Sequence, residues 1–148
     1  MGKAKLSAEI CTSRLSKSSY NMQNTIFSVG HSVRGFSEFL QKLTEYDVDV
    51  LVDVRTFPRS WHCPQYNRKR LADGLNKANI TYLFKGRNLG GRGENTAYEE
   101  TIDELVNLVR NGKRICLMCS EADYRKCHRH ELLEPSFIKR GCKVEHIS

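Results

Sequence analysis

The chain has 148 residues and a formal net charge of +7, with 39% hydrophobic and 28% charged residues. This size and balance predict one soluble globular domain with a core of its own. They exclude a membrane-spanning protein, because no apolar run approaches the ~20 residues that a transmembrane helix needs.

The first part of the chain differs in composition from the rest. Residues 1–24 are rich in Ser, Lys and Asn, which predicts a flexible tail followed by a single α/β domain over residues 25–148. The tail lacks the apolar centre of a secretory signal, so we expect a cytoplasmic protein. In that compartment the six cysteines are expected to be reduced thiols.

From residue 25 onward, apolar patterns predict alternating strands and helices. Short apolar runs predict five strands, at residues 25–29, 48–54, 81–85, 114–119 and 143–147. Helical spacing predicts four helices, at residues 37–46, 67–80, 98–112 and 127–141, the last with a break near Pro135. This alternation predicts a three-layer α/β/α fold with a mainly parallel sheet of about five strands.

Polar residues are concentrated in the loops that follow the strands. These loops read GHSVRG, DVRTFPRSWHCPQYN, KGRNLGGRGEN and CSEADYRKCHR. The loops that precede strands, such as YDVD and LNKANI, are shorter and simpler in composition. Parallel strands present their C-terminal ends at one edge of the sheet, where ligands bind. The sequence therefore predicts one polar, Arg- and Gly-rich pocket at that edge.

The stretch MCSEADYRKCHRHELLEP, residues 118–135, allows a metal interpretation and a thiol interpretation. Cys116 and Cys119 resemble a zinc-ligand pair followed by Cys127 and His128. However, a strand alternates its faces, so the first two cysteines point to opposite sides. We therefore assign no metal ligands.

The thiol interpretation places Cys119 at the end of a central strand and Cys127 at the start of the next helix. A helix start and a nearby arginine such as Arg129 both lower a thiol pKa and attract anions. Either cysteine then becomes a candidate nucleophile, with His31 or His128 as its base. The alternative is that both cysteines are small apolar residues of the core.

Several of these motifs occur together in one known family. The chain from about Thr25 to the C-terminus resembles the domain of unknown function 488 family. The resemblance rests on Gly30-His31-Ser32, Asp53-Val54-Arg55, Pro58-x-Ser60, Asn67, Leu89-Gly90-Gly91, Tyr98, Met118-Cys119-x-Glu121 and Cys127-His128-Arg129. It implies a compact α/β fold in which these motifs form the shared site, and a prokaryotic origin. It implies no particular reaction.

The first functional hypothesis is an enzyme that acts on a nucleotide, a nucleic acid or another phosphorylated compound. Arginines and the Gly-rich loop would hold the anion, while a thiol and acid/base groups would carry the reaction. The predicted catalytic residues are Cys119, His31, Asp53 and Glu121. The predicted ligand-binding residues are Ser32, Arg55, Ser60, Gly90, Gly91, Cys127, His128 and Arg129, with Arg59 as a further anion contact. No cofactor and no membrane partner are expected.

Two alternatives remain open from the sequence. One is a non-catalytic module that binds a nucleotide or nucleic acid, with Trp61, Tyr66 or Tyr98 stacking on a base. The other is thiol chemistry of the rhodanese or phosphatase kind. Against it, Arg125 follows Cys119 by six residues with two acids between, which is a poor cradle for an anion.

Overall fold

The computed structural model of the protein describes residues 24–92 and 94–148. The strands are β1 Asn24–Gly30, β2 Val50–Asp53, β3 Thr81–Phe84, β4 Ile115–Cys119 and β5 Cys142–Ile147. The α-helices are α1 Phe36–Glu45, α2 Arg68–Lys77, α3 Gly86–Leu89, α4 Tyr98–Arg110 and α5 Glu134–Ile138. All but one residue of the predicted tail lie outside the described residues.

The five strands form one sheet in the order β3-β2-β4-β1-β5, and every neighbouring pair is parallel. The predicted parallel sheet is therefore confirmed. β4 is the central strand and is buried along its whole length, as is its neighbour β2. This explains why both strands read as continuous apolar runs in the sequence rather than as alternating ones.

The helices cover both faces of the sheet. α1 and α2 pack on one face through Phe39, Leu43, Leu71 and Leu75, while α4 and α5 pack on the other. The chain moves outward from β1 to β2 and β3, and then reverses to β4 and β5. Right-handed crossovers in opposite directions must lie on opposite faces, so the strand order accounts for the three layers.

The helix predicted over residues 127–141 differs in the structure. A 3₁₀ turn at Tyr124–Lys126 comes first, followed by a π-helical turn at Arg129–Leu133 and then by α5. Cys127 is extended and directly precedes the helical residues, and its carbonyl accepts the His130 N–H at 3.1 Å, so it opens the helix as its N-cap residue, as predicted. The helix changes from π to α next to Pro135, but Leu133 and Glu134 keep helical backbone angles, so the chain does not break there.

Two further features complete the fold. The short helix α3, within the loop that follows β3, has no counterpart among the predicted elements. Across the residues that the structure describes, no helix has the length and apolar character required to cross a membrane.

Candidate active site

A cavity of about 450 Å³ lies at the C-terminal ends of β2 and β4, within the ~300–1,000 Å³ range of small-molecule sites. The crossovers after these adjacent strands go to opposite faces, which opens a crevice between their loops. Three of the four predicted loops line it. The lining residues are Arg55, Thr56, Phe57, Arg59, Gly91, Arg92, Cys119, Ser120, Glu121, Lys126, Cys127 and His128.

Two cysteine sulfurs lie in contact at the floor of the cavity. Cys119 is the last residue of β4, and the loop that follows returns to place Cys127 beside it. The two Sγ atoms are 2.7 Å apart, and the residues are 4% and 8% exposed. Both residues line the cavity, so both face the space in which a ligand would bind.

Arg129 is the largest fully buried side chain among the described residues, at 1% exposure. Its Nε donates to Cys127 Sγ at 3.3 Å, and its backbone N–H donates to the same sulfur at 3.5 Å. The guanidinium also donates to the Glu121 carbonyl at 2.7 Å and to Ser28 Oγ at 3.3 Å. Within residues 24–92 and 94–148, no carboxylate forms an ion pair with Arg129.

This arrangement favours the thiolate form of Cys127. A buried guanidinium stays charged and is costly unless an anion compensates it. Among the described residues, the Cys127 sulfur is the hydrogen-bond partner of Arg129 that can become an anion. Accordingly, the hydrogen bond from Cys119 and those from His128 and Arg129 lower the pKa of Cys127, against the effect of burial. The same Cys119–Cys127 hydrogen bond, together with burial, raises the pKa of Cys119.

His128 lies on the other side of the Cys127 sulfur. Its Nε2 is 2.9 Å from the Leu89 carbonyl, which can only accept, so Nε2 carries a proton. Its Nδ1 is the ring nitrogen that faces Cys127 Sγ, at 3.5 Å. Gly91 fits against the ring, since a Cβ there would lie 2.9 Å from Nδ1.

Asp53 and Arg55 form a buried ion pair beside the cavity. The Arg55 guanidinium donates to Asp53 Oδ1 at 2.8 Å and to Oδ2 at 2.7 Å, and the Tyr82 hydroxyl donates to the same carboxylate at 2.5 Å. Arg55 also donates to the Tyr66 carbonyl at 2.7 Å. Asp53 is completely buried and does not line the cavity, whereas Arg55 does.

The predicted site residues fall into two groups. Those that line the cavity are Cys119, Glu121, Arg55, Gly91, Cys127 and His128. Those that do not are His31, Asp53, Ser32, Ser60, Gly90 and Arg129. Three members of the second group contact the first: Arg129 contacts Cys127, while Asp53 and His31 contact Arg55. Ser60 and Gly90 instead make contacts within their own loops, with the Cys63 N–H at 3.0 Å and with Asn95.

Five lining residues were not singled out from the sequence: Thr56, Phe57, Arg92, Ser120 and Lys126. Arg92 and Lys126 lie in loops that the sequence did assign to the pocket. The 3₁₀ turn at Tyr124–Lys126 brings Lys126 to the cavity. The many Lys and Arg residues in these two loops indicated a cationic pocket. They do not indicate which of these side chains lines the cavity.

The zinc-like spacing does not form a metal site. Cys116 packs with Met118 in the core of the α1/α2 face, whereas Cys119 packs with Leu117 on the opposite face. The predicted divergence of Cys116 and Cys119 is therefore confirmed.

A different set of side chains has the composition of a cation site. The ligand atoms of His130, Glu134 and His146 lie within 4.8 Å of one another, so these residues could hold a divalent cation. Each imidazole has a nitrogen 2.9 Å from the same Glu134 oxygen. No role was predicted for these two histidines, because β5 supplies one and the π-helical turn supplies the other. As it stands, the cluster is a hydrogen-bonded link between β5 and α5.

The loop between the two cysteines does not form a cradle for phosphate. Arg125 is well exposed and binds Asp123 at 3.0 Å, and Arg125 is absent from the cavity lining. Phosphatase-like sites direct such an arginine at the anion. The geometry therefore agrees with the departure from that pattern noted in the sequence.

The comparisons with known proteins identify a family. A search of curated proteins found no match. The family model described as "Domain of unknown function DUF488" matches residues 35–98 and 92–135. The match begins later than the resemblance at Thr25 suggests and leaves out Gly30-His31-Ser32, but it includes both site cysteines. Because it spans more than half of the chain, the protein belongs to the DUF488 family.

Proposed function

We propose that this protein is an enzyme that uses the Cys127 thiolate as a nucleophile toward a small anionic substrate. The observation that carries the proposal is the contact between Arg129 Nε and Cys127 Sγ at 3.3 Å, made by a buried cation with no carboxylate partner among the described residues. The thiolate is the reactive form of cysteine. A buried arginine that maintains this form is a feature that a structural cysteine does not need.

The charge of the cavity supports an anionic substrate. Four cationic side chains line it, and Glu121 is the one acid among the lining residues. Arg55 already pairs with Asp53, which leaves Arg59, Arg92 and Lys126 to attract a ligand. Positive charge in a concave site raises both the affinity and the association rate of anions. Phosphorylated compounds of nucleotide size are within the range that the volume and charge accommodate.

The neighbours of Cys127 have separate roles in this proposal. The thiolate attacks the electrophilic atom of the substrate, and His128 Nδ1, at 3.5 Å, exchanges the proton. Cys119 stays protonated and donates to the thiolate. Asp53 and His31 act as positioning residues, because both contact Arg55 and neither reaches the cavity.

The experiment compares the alkylation of Cys127 by iodoacetate, an anion, and by iodoacetamide, a neutral reagent of similar size. The alkylated peptide is quantified by mass spectrometry between pH 5 and 8. A thiolate reacts at a nearly constant rate over this range, whereas an ordinary thiol slows about tenfold for each pH unit below its pKa. We also expect iodoacetate to be favoured at Cys127 relative to a free cysteine.

Two variants distinguish the effect of charge in the cavity from the effect of the net charge of the protein on the preference for iodoacetate. Lys126→Ala should reduce the preference for iodoacetate several-fold, and Lys143→Ala, on the exposed side of β5, should leave it unchanged. An alkylation rate at Cys127 that falls tenfold per pH unit would refute the thiolate. If anions nevertheless stabilised the fold in that case, the binding-module alternative would be preferred.

A further inference from the structure

The two sulfurs at the cavity floor are closer than packing alone requires. The Sγ atoms of Cys119 and Cys127 are 2.7 Å apart. A disulfide bond measures about 2.05 Å, so the two atoms need to approach by only about 0.7 Å to bond. The residues are eight positions apart and come from β4 and from the extended segment before the π-helical turn. The fold, rather than a local turn, brings them together.

The two thiols are also chemically unequal. Cys127 receives hydrogen bonds from the backbone and side chain of Arg129. Among the described residues, the Cys119 sulfur has the Glu121 carbonyl, at 3.8 Å, as its one hydrogen-bond partner besides Cys127. One sulfur is therefore an anion and the other a protonated donor. Dithiol oxidoreductases require this division, because one thiolate attacks and the second thiol resolves the adduct.

We propose that the site catalyses thiol–disulfide exchange with small anionic disulfides, with Cys127 attacking and Cys119 resolving. The proposal rests on the proposed function, since it names the substrate class and the reaction of the Cys127 thiolate.

The reaction balances in two steps. The Cys127 thiolate attacks one substrate sulfur, the substrate S–S bond breaks, and the first half leaves as a thiolate. Cys119 then gives up its proton to that leaving thiolate and attacks Cys127 Sγ, and the second half leaves as a thiolate. The protein dithiol loses two electrons to the substrate and becomes a disulfide. An external dithiol reductant, such as dithiothreitol, returns it to the starting state.

The shape and charge of the cavity select the substrate. Both cysteines are nearly buried and are reached through a cavity of about 450 Å³. This size favours a small molecule over the disulfide of a folded protein. The cationic lining by Arg59, Arg92 and Lys126 favours disulfides that carry carboxylate or phosphate groups.

The other cysteines of the described chain do not compete for the reaction. Cys116 lies on the opposite face of the sheet, and Cys63 and Cys142 are buried in other parts of the core. Burial raises the pKa of both Cys116 and Cys142, which keeps them unreactive.

The experiment treats the reduced full chain with dithiobis(nitrobenzoate), a disulfide with a carboxylate on each ring, and follows the release of thionitrobenzoate. Release from Cys11, which lies outside the described residues, is subtracted with the Cys11→Ser variant. The native protein should then release about two further equivalents rapidly and end with an internal Cys119–Cys127 disulfide and no adduct on either residue. Cys119→Ser should release about one equivalent and retain a stable mixed disulfide on Cys127. Cys142→Ala, the control, should behave as the native protein does. Neutral dithiodipyridine should react more slowly at Cys127 than the anionic reagent, relative to a free cysteine.

The outcomes separate this proposal from the one on which it rests. A mixed disulfide on Cys127 that persists in the native protein would overturn the role of Cys119 as the resolving thiol, while leaving Cys127 as the nucleophile. Failure of both reagents to react at Cys127, together with an ordinary pH dependence of its alkylation, would overturn the proposed function itself. Circular dichroism of each variant shows whether the fold is retained. Cys119→Ala provides a second test if Cys119→Ser unfolds.

Discussion

The imidazole of His31 is stacked on the ring of Tyr66, with centroids 4.2 Å apart and planes inclined by 16°. Its Nδ1 donates to the Ser32 carbonyl at 2.8 Å, so its Nε2, 3.5 Å from an Arg55 nitrogen, is left as an acceptor. Burial, helped by the charge of Arg55, lowers the pKa of His31 to about 4, although the hydrogen bond to Ser32 opposes the shift. His31 is therefore neutral at neutral pH and holds Arg55 in place.

The neutral state of His31 predicts a loss of stability in mild acid. Its pKa falls from 6.5 in the unfolded chain to about 4 in the folded protein, so the unfolded state binds more protons between these values. The free energy of unfolding should consequently fall as the pH drops from 6.5 to 4, by ~3 kcal/mol for this residue. Urea denaturation at a series of pH values measures it.

The matched variants for this prediction are His31→Gln and His62→Gln. Glutamine at residue 31 keeps a donor for the Ser32 carbonyl but does not titrate, so the pH dependence should become shallower. His62 is exposed, and its replacement should leave the curve unchanged. Equal pH dependence in all three proteins would contradict the assignment of a buried neutral His31.

Arg129 should control the reactivity of Cys127. Arg129→Met keeps a long side chain of similar shape but removes the positive charge. It also removes the hydrogen bonds that the guanidinium donates to Cys127 Sγ and to the Glu121 carbonyl. The pKa of Cys127 should then rise, and alkylation at pH 6 should fall about tenfold for each unit by which the new pKa exceeds 6. The rate of iodoacetamide labelling at Cys127 provides the measurement.

Arg125→Met is the control for this variant, because Arg125 is an exposed neighbour paired with Asp123. It should leave the labelling rate close to that of the native protein. The same rate in Arg129→Met and in the native protein would show that the guanidinium does not set the ionisation of Cys127.

The ion pair of Asp53 and Arg55 should contribute strongly to stability. Asp53→Asn leaves the buried Arg55 without its anion, and breaking such a pair costs about 3–5 kcal/mol. Asp123→Asn removes the acid of an exposed pair with Arg125 and should leave the unfolding free energy nearly unchanged. Chemical denaturation of the two variants tests this difference. Similar stability of both would mean that Arg55 finds another partner or water when Asp53 is neutral.

The sequence allowed the fold to be predicted because its strands and helices have distinct periods. The apolar runs of β2 and β4 indicated central parallel strands, and the spacing in α4 indicated a helix with one buried face. The polar edge of the sheet followed from the direction of the strands. These inferences need only local patterns and one general rule of topology.

The detailed chemistry of the site depends on contacts that local patterns do not contain. The sequence predicted that Arg129 binds an anion in the pocket, but the π-helical turn directs it into the core, against Ser28 and Cys127. Likewise, His31 reads as a free base after β1. It becomes a neutral, stacked residue only because the loop after β2 brings Tyr66 over it.

Gly30 is where two loops of the site meet, and its replacement tests how closely they must pack. A Cβ at Gly30 would lie 1.8 Å from the carbonyl oxygen of Glu121, which is the oxygen that accepts the Arg129 guanidinium. Since that neighbour is backbone, Gly30→Ala must displace the loop after β4. We expect a loss of about 1–3 kcal/mol in unfolding free energy, together with slower alkylation of Cys127.

Gly35→Ala is the matched control, because no atom lies within 4 Å of a Cβ at Gly35 and its φ is −68°. This variant should retain both the stability and the reactivity of the native protein. If Gly30→Ala lost stability but kept the labelling rate at pH 6, the Glu121 carbonyl would not be needed to orient Arg129. If Gly30→Ala lost both, the close approach of the β1 and β4 loops would be part of what holds Cys127 as a thiolate.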